Sequence, residues 1–110
     1  MNGSAHSGDE CVPDAKPAPE GAVVRTLLIC NKKGLHARAS AKFVQTVEKF
    51  DAEVRVRRCN ETVGGTSIMG LMMLAAAPGT SITVEATGPE AGAVVDALAA
   101  LIESRFGEAD

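Results

Sequence analysis

The chain has 110 residues, 45% of them apolar and 23% charged, with a formal charge of −3. That size suits one domain with a single core, and that balance excludes wholesale disorder. Residues 1–20 hold Asp9, Glu10, Asp14 and Glu20 against Lys16 alone, so the remainder is neutral and, with Phe43, Phe50 and Phe106 its only aromatics, lacks the basic groove and stacking rings of a nucleic-acid binder. The longest apolar stretch, Ile68 to Ala77, stops at Pro78, short of the roughly 20 residues of a membrane span. The first residues show neither the basic start nor the apolar run of a secretory signal. Cys11, Cys30 and Cys59 are odd in number and form no C-x-x-C pair, the pattern of reduced thiols in a cytoplasm, and no disulfide framework is implied.

The opening residues, 1–21, are rich in proline and acid and have no periodic apolar pattern, which predicts a flexible tail before a domain over 22–107. Val23 to Cys30 reads as a mostly buried strand, followed by turn residues from Asn31 to Gly34. Ala39, Phe43, Val44, Val47 and Phe50 recur at helical spacing, which predicts a helix over Ala37 to Phe50. Val54 and Val56 alternate with Arg55 and Arg57, a half-exposed strand, and Thr62 to Gly65 pairs back through a turn at Cys59 to Glu61. Ser67 stands as an N-cap before Ile68, Leu71, Met72 and Ala75, a short amphipathic helix ended by Pro78–Gly79. A strand over Ser81 to Ala86 follows. The last helix opens at Gly88–Pro89, with proline at the first helical position, and carries Ala91, Val94, Val95, Leu98, Leu101 and Ile102 in one stripe before Gly107. The order βαββαβα describes an α+β domain in which an antiparallel or mixed four-stranded sheet has one face covered by helices and the other open to water.

His36 is the residue with the most chemistry on offer. It stands at the start of the first helix, where backbone N–H groups lack intrahelical partners and the helix dipole is positive. Such a terminus is a ready anion site. A neutral imidazole is a competent nucleophile, and a reference pKa of about 6.5 leaves much of it neutral near pH 7. A phosphoryl group on His36 would meet the amides of Ala37, Arg38 and Ala39, with the Arg38 guanidinium in reach. Arg25, Lys32, Lys33, Arg38 and Lys42 are basic, and no acidic residue occurs from Gly21 to Val47. His6 and Cys11 form no metal-ligand constellation with Cys30 or Cys59. The residue patterns imply no metal and no cofactor.

The stretch Gly34-Leu35-His36-Ala37-Arg38-Ala39-Ser40, with Phe43-Val44-Gln45 behind it, closely resembles the active-site segment of the HPr family, the histidine-containing phosphocarriers of the bacterial phosphoenolpyruvate-dependent phosphotransferase system. Ser67-Ile68-Met69-Gly70-Leu71-Met72 resembles the family's regulatory serine and the short helix it caps. The resemblance implies an open-faced sandwich with a four-stranded antiparallel sheet. It also implies that His36 is phosphorylated on Nδ1 by phosphorylated Enzyme I and passes the group to an IIA-type protein, with Arg38 supporting the phosphoryl group. Ser67 takes the place of the serine that HPr kinase/phosphorylase modifies. Ala39 stands where the family usually has proline, and Lys33 where a small polar residue is common.

Phosphate on Ser67 would add about −1.5 to −2 charge beside Ile68, Met69 and Met72, the apolar surface that partners bury. Gly70 inside the helix suggests close approach by a partner backbone or by the neighbouring helix, since glycine there costs roughly 0.5–1 kcal/mol. The expectation is a cytoplasmic, monomeric carrier that turns over no small molecule by itself and binds neither nucleic acid nor membrane. A nitrogen-branch regulatory carrier is the nearest alternative. A βαβ-type ligand- or RNA-binding module with an incidental histidine is the alternative of a different class.

Overall fold

The computed structural model describes residues 21–74 and 76–108. The expected tail, with His6 and Cys11, and Ala75 of the second helix's stripe lie outside these residues. The elements run β1 (Val23–Leu28), α1 (Ala37–Val47), β2 (Glu53–Arg58), β3 (Glu61–Gly64), α2 (Ile68–Met73), β4 (Ser81–Thr87) and α3 (Ala91–Glu103), followed by a 3-10 turn at Arg105–Gly107. The sheet order is β1-β4-β2-β3 and every pairing is antiparallel. This is the α+β open-faced sandwich, and it resolves the choice between an antiparallel and a mixed sheet.

One core joins the layers. Leu27, Val54, Val56, Ile82, Val84 and Ala86 point from the sheet towards Ala39, Phe43, Val44 and Val47 of α1 and Val94, Val95, Leu98 and Ile102 of α3, all buried. These are the period-2 and helical-period positions of the sequence, because each element buries the face on which its apolar side chains recur.

Element ends differ from expectation where a specific contact intervenes. α1 stops at Val47, and the next residues tighten into three-residue turns, with Lys49 N–H donating to Thr46 O at 3.1 Å and Phe50 N–H to Val47 O at 3.1 Å. The ladder of β1 ends at Leu28, and Ile29 continues by exchanging bonds with Thr80 and Gly79, each at 2.8 Å. Pro89 lies before α3, not at its first helical position, which is Ala91. Glu90 is the N-cap, and its backbone N–H and its carboxylate bind Asp51, at 3.0 and 2.6 Å, anchoring the helix start to the loop after α1.

Two further expectations are corrected. The sheet face away from the helices is not uniformly wet: Glu85 of β4 is 6% exposed, with Arg57 Nη1 at 2.6 Å. A carboxylate taken that far from water needs a cation beside it, and Arg57 and Arg55 of β2 supply that charge. The thiols are not all reduced, since Cys59 is disulfide-bonded whereas Cys30 is free.

Candidate functional site

The loop between β1 and α1 is fixed by its own contacts. Asn31 is fully buried, and its Nδ2 donates to Gly34 O at 2.9 Å. Gly34 has φ +66°, and a Cβ there would lie 2.3 Å from Ala76 O, the atom that accepts the Leu35 N–H at 3.0 Å. Glycine is required on both counts, by the left-handed backbone and by the contact. The loop is thereby stitched to the segment after α2, and Leu35 is driven into the core, 5% exposed.

His36 follows as the N-cap of α1, with extended backbone (φ −77°, ψ −177°) and no capping bond from its side chain. The His36 carbonyl instead accepts Ser40 N–H at 2.8 Å, beginning the helix and leaving the imidazole to face outward. The side chain is 27% exposed, so the ring is reachable but not loose. An open cleft of about 560 Å³ lies beside it, lined by Lys32, Lys33, His36, Ala37, Arg38, Lys42, Gly107 and Glu108. Ala37 and Arg38 are exposed on this cleft, whereas Ala39 is fully buried behind them, so the outer two of the three expected backbone donors are the accessible ones. Of the basic residues singled out in the sequence, Lys32, Lys33, Arg38 and Lys42 converge here. Arg25 does not: it pairs with Asp96 of α3 at 2.9 Å.

The C-terminal turn contributes residues that sequence reasoning missed. After α3 the chain passes through three consecutive residues of positive φ, Arg105 (58°), Phe106 (56°) and Gly107 (72°). Phe106 is 1% exposed, and its carbonyl accepts Lys42 Nζ at 2.6 Å. The turn delivers Glu108 to the ring: Glu108 Oε2 contacts His36 Nε2, and Oε1 accepts Asn31 Nδ2 at 3.1 Å. The hydrogen bond from His36 holds the Glu108 carboxyl below its ordinary value, with burial opposing and Asn31, the His36 charge and Lys33 assisting. A depressed carboxyl pKa means that this contact stabilises the fold above the ordinary value of 4.5 and is lost as pH falls through the lowered one. An acid titration followed by NMR should show the Gly107 and Glu108 amides leaving their native positions only below pH 4.5, later than in a chain carrying His36→Ala.

On α2 the expectations about placement hold for most residues. Ser67 is exposed, and its Oγ accepts Gly70 N–H at 2.9 Å, an N-cap. Leu71 and Leu74 are buried at 0% and 2%, whereas Ile68, Met69 and Met72 are exposed. Met73, which sequence reasoning left out, is the most exposed of the patch at 72%. A Cβ on Gly70 would lie 2.9 Å from both Ser67 Oγ and Val63 Cβ, so the glycine makes room for β3 and for the capping hydroxyl within the molecule. Ser67→Ala should lower stability by about 1 kcal/mol and Ser67→Asp by much less, because aspartate keeps an acceptor for the same N–H; urea denaturation measures both.

Among the described residues no cluster suited to a metal occurs, and no helix is long and apolar enough to cross a membrane. Comparison with known proteins adds the lineage. The family model described as the PTS HPr component phosphorylation site matches residues 23–104. A phosphocarrier protein HPr of Cupriavidus necator is 49% identical over 86 residues, covering 78% of this chain and 97% of its own. A phosphocarrier protein NPr of Shewanella violacea is 40% identical over 85 residues, covering 77% and 93%. The crystal structure of HPr-C-His from Thermoanaerobacter tengcongensis superposes with a TM-score of 0.76 at 42% identity, covering 80% of this chain and 99% of that one. The chain belongs to the HPr family of phosphocarriers of the bacterial phosphotransferase system.

Proposed function

We propose that His36 is the phosphoryl acceptor of this carrier, loaded on Nδ1 by phosphorylated Enzyme I and unloaded to an IIA-type protein. The observation that carries the reading is a single one: the imidazole stands at the N-terminus of α1 on the rim of a cleft lined by four basic side chains. Amides at a helix start and nearby cations both favour an incoming phosphoryl group. The contact of Glu108 with Nε2 leaves Nδ1 as the open nitrogen. Arg38 supports the phosphoryl oxygens from the cleft wall, with the first-turn backbone amides of Ala37 and Arg38 behind it, Ala39 being buried. The chain turns over no small molecule alone. It works in the cytoplasm as a monomer that presents one face to each partner in turn.

That face joins the basic cleft to the exposed apolar group Ile68, Met69 and Met72, to which Met73 is added. A cationic surround steers acidic partners, and methionine packs against more than one of them. Ser67, exposed at the border of this group, is the proposed target of HPr kinase/phosphorylase; a phosphate there would place charge on surface that a partner must bury.

Incubation with phosphoenolpyruvate and Enzyme I should yield one acid-labile, base-stable phosphate per chain, and its absence rejects the reading. Offering the labelled chain to IIA-type proteins of the sugar and nitrogen branches identifies the acceptor; rapid discharge to the sugar type is expected, and discharge only to the nitrogen type assigns the regulatory branch. Arg38→Ala should slow transfer about tenfold with little change in melting, because the side chain is exposed. A lower melting temperature with unchanged transfer per folded molecule would contradict that role.

A further inference from the structure

We infer that Glu108 is the positioning residue of His36: its carboxylate holds the proton of Nε2, keeps Nδ1 free as the nucleophile, and balances the positive charge that the ring acquires when it is phosphorylated. The inference rests on His36 being the acceptor and adds a role for a residue beyond the matched segment, residues 23–104.

The carboxylate is gripped from both sides. Oε1 accepts from Asn31, whose fully buried amide is itself tied to Gly34 O, so the loop that presents His36 also orients the group that contacts it. On the other side, buried Phe106 and the bond from Lys42 to its carbonyl fix the turn two residues earlier. Glu108 is 15% exposed at its side chain, less than the imidazole it touches. Such anchoring belongs to a group that sets the orientation of another.

An ionised carboxylate only accepts hydrogen bonds, so the ring nitrogen against it must carry hydrogen. A neutral imidazole has one N–H, and when that hydrogen sits on Nε2 the in-plane lone pair sits on Nδ1. In the transfer step this lone pair forms the N–P bond while the bond between phosphorus and the donor's phosphorylated nitrogen breaks, its electron pair staying with the donor. His36 keeps the Nε2 hydrogen, loses no proton and becomes a phosphorylated imidazolium. Return transfer reverses each step.

The charges around the ring show why a carboxylate is needed. Lys32 and Lys33 on the loop and Arg38 and Lys42 on α1 line the cleft, and Glu108 is the one acidic residue among its lining groups. The segment at Ala76 and Ala77, which borders the ring on its other side, adds no ionisable group. The four cations favour the phosphoryl oxygens but oppose a positive ring. Glu108 offsets that opposition at Nε2, on the far side of the ring from the phosphorus. A carboxylate beside a histidine in a serine hydrolase acts on the same principle, fixing the tautomer and stabilising the imidazolium.

The test uses the full chain labelled with 15N. In the unphosphorylated native protein, at a pH where the ring is neutral, long-range proton–nitrogen correlation should show the hydrogen on Nε2; a dominant Nδ1–H form overturns the inference without any variant. After phosphorylation with phosphoenolpyruvate and Enzyme I, Glu108→Gln keeps the side-chain shape and an acceptor oxygen but removes the charge. Its phosphohistidine should lose the Nε2 proton at a pH lower by about one unit than the native phosphohistidine. Transfer from Enzyme I should slow about tenfold, the equivalent of that shift. A role confined to holding the turn in place would leave the titration unmoved. If the native chain takes phosphate on His36 and the variant titrates and reacts as the native chain does, Glu108 has no such role and His36 remains the acceptor. If the native chain takes no phosphate on His36, both readings fall together.

Discussion

A His36→Gln chain should accept no phosphoryl group from phosphorylated Enzyme I, its labelling falling by at least about a thousandfold, yet should fold to the native sheet and helices. The two halves of that result have separate causes. Glutamine has no nitrogen able to displace a phosphorylated leaving group, so the covalent step is lost whatever else is retained. Little stability is lost with it, because the His36 side chain makes no capping bond and is 27% exposed, and the N-cap carbonyl that begins α1 is backbone. The contact with Glu108 is the interaction given up, and this partly buried pair, still open to the cleft, contributes about 1 kcal/mol. Melting followed by circular dichroism should therefore fall by no more than about 8 °C. Labelling retained at a tenth of the native level would show that the group is carried elsewhere.

Phe106→Ala should remove about 3–5 kcal/mol of folding stability, the cost of truncating a buried aromatic side chain of the core. The ring is 1% exposed, and its position depends on positive φ at two successive non-glycine residues, Arg105 and Phe106. Such a backbone persists only because burial of the ring offsets its strain. Once the ring is truncated the cavity term and the strain act together, and the turn releases Glu108 from His36 and Asn31. Urea denaturation should register the loss as a lower midpoint at unchanged slope, while Phe50→Ala, at a partly buried position packed on the outside of the core, costs less. A loss below about 1 kcal/mol for Phe106→Ala would mean that the turn is held by other contacts.

The architecture was legible in the sequence because each element carries its own period. Val54 and Val56 alternate with arginines, Phe43, Val44 and Val47 share a helical face, and these faces meet in the core. Ser67 was legible as a cap because its oxygen acts on an amide three residues away, a local relation. Glu108 was not, since its partners are His36 and Asn31, 72 and 77 residues earlier in the chain, and the turn that brings it there has no periodic signature. Asn31 read only as a turn residue for the same reason: its place in the turn is local, whereas its bond to Glu108 joins distant parts of the chain. Glu85 alternates as an outward-facing position should, and only the three-dimensional placement of Arg57 explains its burial. Gly70 drew attention as a helix breaker, but the side chain it makes room for belongs to β3, which sequence spacing does not reveal.

One nitrogen–phosphorus bond defines a carrier of this kind. The chain contains two histidines, His6 and His36, so the phosphorylated protein can be examined for which ring, and which nitrogen of it, carries the group. Phosphorus–nitrogen coupling measured by NMR on the 15N-labelled chain, after reaction with phosphoenolpyruvate and Enzyme I, should place the phosphorus on Nδ1 of His36 alone. Phosphorus on His6, on Nε2 of His36, or on no histidine would contradict it.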